Sequence, residues 1–400
     1  MLNFILFPFF WLGARLIRFG LCMFGFKKVV AVQISNYRDE ADVRLFGFWN
    51  IEKAPRVLSW TQYAWEGIRG KLFMIRVTTD QIKKALENAA SSPRELLRIR
   101  ELFMEAVDEA IKLGVKNVLL AAATKRLFKK GELELLFPGV IFTLGDNFTG
   151  LLLARRIKDN FRIYGLNPKT SRVLVIAPYG FLGKVALCTV CELGCQVVGF
   201  GNSKRPELTN GLAKKFGFFP VFDFSDVGKV DMVIACSEAR PVQLTPERVK
   251  MIRKAGKKLI VIDPCEPANM TPEMVKKCLG AVTRFDAGNG YSSRLKYVLG
   301  YVSYRVLRLT KGETWGCFCE NFLIAKHENL QQEEDWFSVT PERIERLKKY
   351  YGNGMGQFCL PPASCHGKSI TTFPLYFSEG KIKNKGAFNL VWDGIKSIFL

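Results

Sequence analysis

Two clusters in this chain have residue types and spacing suited to chemistry. The first is Ala177-Pro178-Tyr179-Gly180-Phe181-Leu182-Gly183, between the apolar run RVLVIA and the helical segment GKVALCTVCEL. It is a variant of the Gly-x-x-Gly-x-x-Gly turn with alanine in the first place. Such a turn brings backbone N–H groups to a pyrophosphate at the positive end of a helix. Gly180 permits the close approach, and Gly183 permits close packing of helix on strand. Tyr179, Phe181 and Leu182 complete the expected contact surface, and Ser237, ending the later run MVIACS, joins it.

The next apolar run, CQVVGFG, leads into Asn202-Ser203-Lys204-Arg205. An NAD enzyme places Asp or Glu here to hold the ribose 2′-hydroxyl, and this chain has neither. A hydroxyl followed by Lys and Arg suits a 2′-phosphate, which a guanidinium grips with charge-assisted bonds. The expectation is NADPH, held in part by these four residues. The alternative is an ordinary solvated loop.

The second cluster is the segment ETWGCFCENFLIAKHE, 313–328, a helix expected to start near Thr314. Cys317 then falls in the first turn, where the helix dipole lowers a thiol pKa and favours the thiolate. Cys319 points about 200° away around the same helix. His327 lies about 15 Å along it, too far to serve Cys317 as a base. From these residues alone Cys317 is either a nucleophile or a buried structural cysteine.

Composition narrows the field. The chain has 400 residues and a formal charge of +22, so its surface attracts something acidic. Its basic pairs are scattered, as at Lys214-Lys215 and Lys348-Lys349, with no zinc-finger spacing or RNP-like motif. Nucleic acid is therefore the weaker partner, against anionic lipid or an acidic carrier protein. Eleven cysteines without framework spacing read as buried thiols in a reducing, cytoplasmic compartment. Cys188, Cys191 and Cys195 are expected on one packed helix face rather than on a metal. With only His327 and His366, no histidine-rich metal site and no Ser-His-Asp hydrolase is expected.

The elements that must position these clusters follow from periodicity. Residues 95–113 have helical spacing and stop at Gly114, NVLLAAA is a strand, and 150–165 is a helix closing at Gly165. From Arg172 to Asp263 apolar runs alternate with helical segments, as a parallel sheet covered on both faces requires. The expected fold is α/β: a Rossmann-like parallel-sheet domain over 166–290, a second α/β substrate domain over 27–165, and C-terminal helices over 291–352 carrying Cys317. A tail spans 353–400. Residues 1–26 are apolar and aromatic, but Arg15 and Arg18 interrupt them before the ~20 residues a spanning helix needs. They suit a helix lying in an anionic membrane surface, or one packed on the body, and lack the basic start of a cleaved signal peptide.

Taken in order, several blocks resemble the cyanobacterial-type long-chain fatty acyl-(acyl carrier protein) reductases. They are Phe142 to Gly150, the turn at Gly180 and Gly183, Ile262-Asp263 with Pro267 and Asn269, Cys317-Phe318-Cys319-Glu320, and Phe337-Ser338. The match spans roughly 95–352. The chain departs from the family's pattern at Ala177, at Ala122-Ala123 in place of a glycine pair, and at Gly145-Asp146-Asn147-Phe148-Thr149-Gly150 in place of Gly-Asn-x-x-Thr-Ala. The resemblance implies that Cys317 takes an acyl group from a thioester of acyl carrier protein or CoA. NADPH then reduces the acyl-cysteine to an aldehyde. It also makes Asn147 and Thr149 candidate substrate contacts. Two other readings stay open: a dehydrogenase of a small polar keto or hydroxy substrate with Cys317 merely packed, and a membrane-associated nucleotide-binding protein without turnover.

Overall fold

A computed structural model describes residues 29–297, 307, 309–332 and 335–370. The apolar segment 1–26 and the closing run AFNLVWDGIKSIFL lie outside the described residues. Among the described residues no helix is long and apolar enough to cross a membrane.

Two six-stranded sheets organise the chain. The first is mixed. β1 (Val29–Tyr37) lies at its centre, parallel to β3 (Ile68–Thr78) on one side and to β4 (Asn117–Leu120) and then β5 (Ile141–Thr143) on the other. β2 (Val57–Trp65) is antiparallel to β3 and closes a hairpin through Glu66-Gly67. Side chains alternate between its faces, as the pleat demands. Val32, Ile34, Phe73 and Ile75 meet Phe103 and Val107, whereas Leu72, Met74 and Leu119 face Phe148, Phe318 and Phe322.

Five helices frame this sheet: α1 (Glu40–Leu45), α2 (Thr79–Glu87), α3 (Pro93–Lys112), α4 (Glu132–Leu136) and α5 (Asp146–Ile163). α3 starts on Pro93 at a first-turn position and buries Ile99, Leu102, Phe103, Ala106, Val107 and Ala110, a single apolar stripe. α5 serves both halves. Phe148, Leu151 and Leu152 pack into the first core, and Leu153, Ile157 and Phe161 into the second. It begins at Asp146, four residues before the expected start at Gly150.

The second sheet is wholly parallel. Its strands are β6 (Arg172–Ile176), β7 (Gln196–Phe200), β8 (Phe219–Val221), β9 (Met232–Ala235), β10 (Leu259–Asp263) and β11 (Val282–Asp286). Their order is β8-β7-β6-β9-β10-β11. Counted within the sheet that is 3-2-1-4-5-6, the doubly wound dinucleotide-binding order, with its switch point between β6 and β9. Helices α6 (Phe181–Glu192), α7 (Pro206–Phe216), α8 (Pro246–Ile252) and α9 (Pro272–Lys277) cover it. α6 ends at Glu192, so Cys195 lies beyond the helix that was expected to hold it with Cys188 and Cys191. Cys191 and Cys195 pack against the second core.

The chain then returns to the first half. β12 (Asn289–Tyr291) pairs antiparallel with β14 (Glu313–Trp315), and β13 (Lys296–Tyr297) joins the edge of the first sheet beside β2. β14 leads directly into α10 (Gly316–Lys326), which lies against β1, β3, β4 and α5. Thr314, expected to start the helix, belongs to the strand before it.

Candidate active site between the two sheets

A cavity of about 310 Å³ opens between the first sheet and the carboxyl ends of the second. Such crevices at a switch point are where ligands of doubly wound sheets bind. The first half contributes Asn36, Arg38, Lys125, Asp146 and Thr149, and the second contributes Leu182, Cys236, Glu238, Cys265 and Gly288. Cys317 and Phe318 come from α10, and Phe46, Leu72, Met74, Ile82 and Leu86 form an apolar wall. The cavity lining therefore combines charged and apolar side chains.

Cys317 is fixed by glycines. A Cβ on Gly145 would fall 2.3 Å from Cys317 Cβ, and one on Gly316 would fall 2.5 Å from Gly288 O. Gly145 also has φ +71°, so its place before α5 needs glycine twice over. Gly316 N donates to Gly288 O at 2.7 Å, pinning the head of α10 to the second domain. Cys317 thus stands in the first helical turn, as its sequence indicated. Its expected acidity does not follow. Burial pushes the thiol up to about 11; the Lys125 charge opposes this, while Asp146 and Glu320 reinforce it. The resting side chain is a thiol, because desolvation outweighs the dipole. Cys319 is fully buried on the opposite face, and His327, past the helix end, stacks on Tyr350 at 4.4 Å.

Three ionisable groups at the site were not singled out from sequence. Lys125, in the short turn Ala122–Arg126, is ion-paired through Nζ to Asp146 Oδ1 at the start of α5. Burial works against the ammonium, but Asp146, Cys317 and Glu320 together hold the Lys125 pKa above its usual value. Glu320, one turn after Cys317, is fully buried; its Oε2 accepts from Phe148 N at 2.8 Å and its Oε1 from Thr143 Oγ1 at 2.7 Å. Burial pushes its carboxyl up to about 7. One signal was available in the sequence: Asp146 replaces the asparagine of the Gly-Asn-x-x-Thr-Ala pattern.

Of the expected substrate contacts, Thr149 lines the cavity but commits its hydroxyl to Gly145 O at 2.9 Å, one turn back. Asn147 lies outside the cavity lining. Its Nδ2 donates to Ser338 O at 3.2 Å and its Oδ1 accepts from Thr340 N at 3.1 Å, so it ties the 335–340 segment to α5. α5 starts at Asp146, and the next side chain, Asn147, is turned to that segment.

The nucleotide turn takes its shape from backbone. Ala177 adopts φ +56°, the left-handed conformation a glycine would supply, and its carbonyl accepts from Gly180 N at 3.2 Å. A Cβ on Gly183 would lie 2.0 Å from Ala177 O, so helix and turn touch there. A Cβ on Gly180 would lie 3.6 Å away, in ordinary contact. Gly180 precedes α6 and no side chain caps that helix. Leu182 lines the cavity, Phe181 is half exposed, and Tyr179 packs on the second core near Arg205.

Asn202, Ser203, Lys204 and Arg205 form an exposed loop after β7. Asn202 Oδ1 accepts from Lys204 N at 2.9 Å, and Arg205 sits 3.5 Å from Glu207. Ser237 is placed between the cavity-lining Cys236 and Glu238; its Oγ accepts from Ala239 N at 3.3 Å and its carbonyl from Asn269 Nδ2 at 2.6 Å. Two ion pairs join the halves near the cleft: Arg38 to Glu266 at 2.9 Å and Arg126 to Glu238 at 3.7 Å. An uncapped helix start, a tight turn closed by Gly183 and the 3-2-1-4-5-6 order fit a dinucleotide. No group of His, Cys, Asp and Glu among the described residues is arranged to hold a metal.

No family model and no curated protein matches the chain. Among solved structures it is similar to shikimate dehydrogenase from Aquifex aeolicus, at 16% identity and TM-score 0.36, over 80% of this chain and 98% of that one. It is also similar to a D-lactate dehydrogenase from Escherichia coli, at 14% identity and TM-score 0.26, over 63% of this chain and 80% of that one. A D-2-hydroxyisocaproate dehydrogenase aligns at 11% identity and TM-score 0.25, over 63% of this chain and 76% of that one.

Proposed function

We propose that the chain is an NADPH-dependent oxidoreductase that reduces a fatty acyl thioester to an aldehyde through an acyl-cysteine on Cys317. The observation that carries this reading is the place of Cys317, in a cavity bounded on one side by the carboxyl ends of the dinucleotide-type sheet and on the other by an apolar wall. The start of α6 at Gly180 receives the pyrophosphate, and Ser203, Lys204 and Arg205 receive the 2′-phosphate. NADPH supplies the hydride when bound.

The chain's own groups do the rest. Phe46, Leu72, Met74 and Ile82 take up the acyl tail and exclude water. The Lys125 ammonium favours ionisation of the Cys317 thiol, whose sulfur attacks the thioester carbonyl as the C–S bond to the carrier breaks; the proton given up by Cys317 ends on the departing carrier thiolate. A net charge of +22 suits an acidic acyl carrier protein, or acyl-CoA, and peripheral contact with an anionic membrane.

Intact-mass analysis of the full chain after exposure to an acyl thioester tests this directly. The expected result is one acyl adduct, absent in Cys317→Ala, with NADPH-dependent reduction lowered on the order of 10³-fold or more. Survival of reduction at the wild-type rate in that variant sinks the covalent mechanism. The charged side chains in the cavity lining favour a second reading, a dehydrogenase of a small polar keto or hydroxy compound, with Cys317 packed. Unchanged Cys317→Ala turnover on such a substrate supports it.

A further inference from the structure

The cleft collects charge in balanced form. Its lining cations are Arg38, Lys83, Lys125 and Arg126, and its lining carboxylates are Asp42, Asp146, Glu238 and Glu266, four of each. Three of the cations are already engaged: Arg38 with Asp42 and Glu266, Lys125 with Asp146, and Arg126 with Glu238. A carboxylate reaching Lys125 meets the Asp146 carboxylate already paired there, whereas a neutral carbonyl oxygen needs only a hydrogen-bond donor. Lys125 is that donor. Its ammonium has three N–H groups, Asp146 occupies one, and the side chain is 22% exposed, in the lining of the same cavity as Cys317. The apolar wall of Phe46, Leu72, Met74 and Ile82 accommodates an alkyl tail beside it.

We propose that this cleft also reduces a free, uncharged aldehyde to its primary alcohol, with Lys125 as proton donor and without any bond to Cys317. The inference rests on the cofactor half of the proposed function and is independent of the acyl-cysteine half. A reduced nicotinamide is the reductant: one hydride forms the new C–H bond at the carbonyl carbon. The C=O π pair moves onto oxygen, which takes a proton from Lys125 Nζ. The aldehyde is reduced, the nicotinamide is oxidised, and Lys125 recovers its proton from solvent beside the Asp146 carboxylate. Pairing with Asp146 fixes the Lys125 ammonium in the cleft and keeps it protonated between turnovers.

The test uses the full chain with NADPH and octanal, with octanol measured by gas chromatography. A second readout needs no turnover: calorimetric binding of octanamide, a non-reducible carbonyl probe, to protein without cofactor. Wild type forms octanol. Cys317→Ala, which loses thioester reduction, still forms it. Lys125→Met loses octanol formation at least 100-fold and binds octanamide at least tenfold more weakly, the range for a hydrogen bond to a charged group. Because Lys125→Met leaves Asp146 alone in a buried site, the double variant Lys125→Met/Asp146→Asn restores the charge balance and shows the same two losses. Octanoate binds no more tightly than octanamide. Octanol formation that survives in both Lys125 variants, tighter binding of octanoate, or no octanol from a wild type that binds NADPH overturns the proposal. A wild type that does not bind NADPH in a fluorescence titration overturns the cofactor reading and this activity with it.

Discussion

The wall of the cleft proposed to hold the cofactor is shaped by backbone, whereas the facing wall is shaped by charged and apolar side chains. On the second sheet the parts proposed to hold the nucleotide are the turn at Ala177, the Gly183 contact and the bare start of α6. On the first half a lysine, two carboxyls and a thiol lie close together, and Asp146 and Glu320 act on both Lys125 and Cys317. Backbone geometry depends on local residue types, so substitutions there should act one at a time. A buried charge cluster depends on all its members, so substitutions there should act together and vary with pH.

The largest effect that tests this contrast is at Glu320. Its carboxyl lies near 7 in the folded chain against the usual 4.5, with burial as the cause. Between those values the folded state holds a proton the unfolded state has released. The group's contribution to stability is therefore complete below pH 4.5 and lost as pH rises to 7. Urea unfolding of the wild type should lose up to about 3 kcal/mol between pH 4.5 and 8 relative to Glu320→Gln. Parallel pH profiles for the two proteins would show that this wall is not electrostatically stressed.

On the backbone wall the two glycines of the nucleotide turn should behave oppositely. Gly183→Ala drives a methyl into the Ala177 carbonyl and the Pro178 Cα, which are main chain and cannot rotate away. A loss of about 2–3 kcal/mol in unfolding free energy is expected. Gly180→Ala meets nothing closer than 3.6 Å at an ordinary φ of −70°, so stability should hold. NADPH affinity should fall instead, because the methyl stands where a pyrophosphate approaches the helix start. A Gly180→Ala protein with unaltered affinity would remove the phosphate role from this turn.

The contrast also explains what was legible in the sequence. The parallel sheet, the turn and the helix at Cys317 follow from local periodicity and glycine placement, although the helix starts at Gly316 rather than near Thr314 and the sheet gains a further strand at Val282–Asp286. The first sheet is mixed and draws its edge strand from residues 296–297, more than 200 positions after its first strand, which no local pattern encodes. Lys125 and Asp146 stand 21 positions apart on a short turn and a helix start. Neither carries a spacing that marks an ion pair. The family pattern's asparagine falls at Asp146, and the neighbouring Asn147, about 100° further round α5, turns its amide to the 335–340 segment. The lowered thiol pKa failed for a related reason: a dipole is readable from sequence, and desolvation is not.

Smaller effects remain on the cofactor wall. Arg205 is exposed and only loosely engaged with Glu207 at 3.5 Å, so removing it should not alter folding. Arg205→Ala should weaken NADPH binding about tenfold, the worth of one charge-assisted contact, and leave NADH binding unchanged. Equal loss for both cofactors would assign the loop to the pyrophosphate or to no ligand.

The smallest expected change is at Ala177, and it bears on whether a backbone wall tolerates a side chain where the turn pattern has glycine. Alanine at φ +56° costs roughly 1–2 kcal/mol relative to a residue at ease there. Against that, glycine enlarges the unfolded ensemble by about 0.4–1 kcal/mol, and Ala177 buries a methyl in the second core that glycine gives up. The terms nearly cancel, so Ala177→Gly should move the unfolding free energy by less than about 1 kcal/mol. The Gly180 N to Ala177 O bond at 3.2 Å is already formed, which means that the alanine holds the conformation a glycine would adopt. NADPH affinity in a fluorescence titration should therefore stay within about twofold of wild type. A tenfold gain on Ala177→Gly would mean that the methyl obstructs the nucleotide, and that this wall, like the one facing it, is tuned by side chains after all.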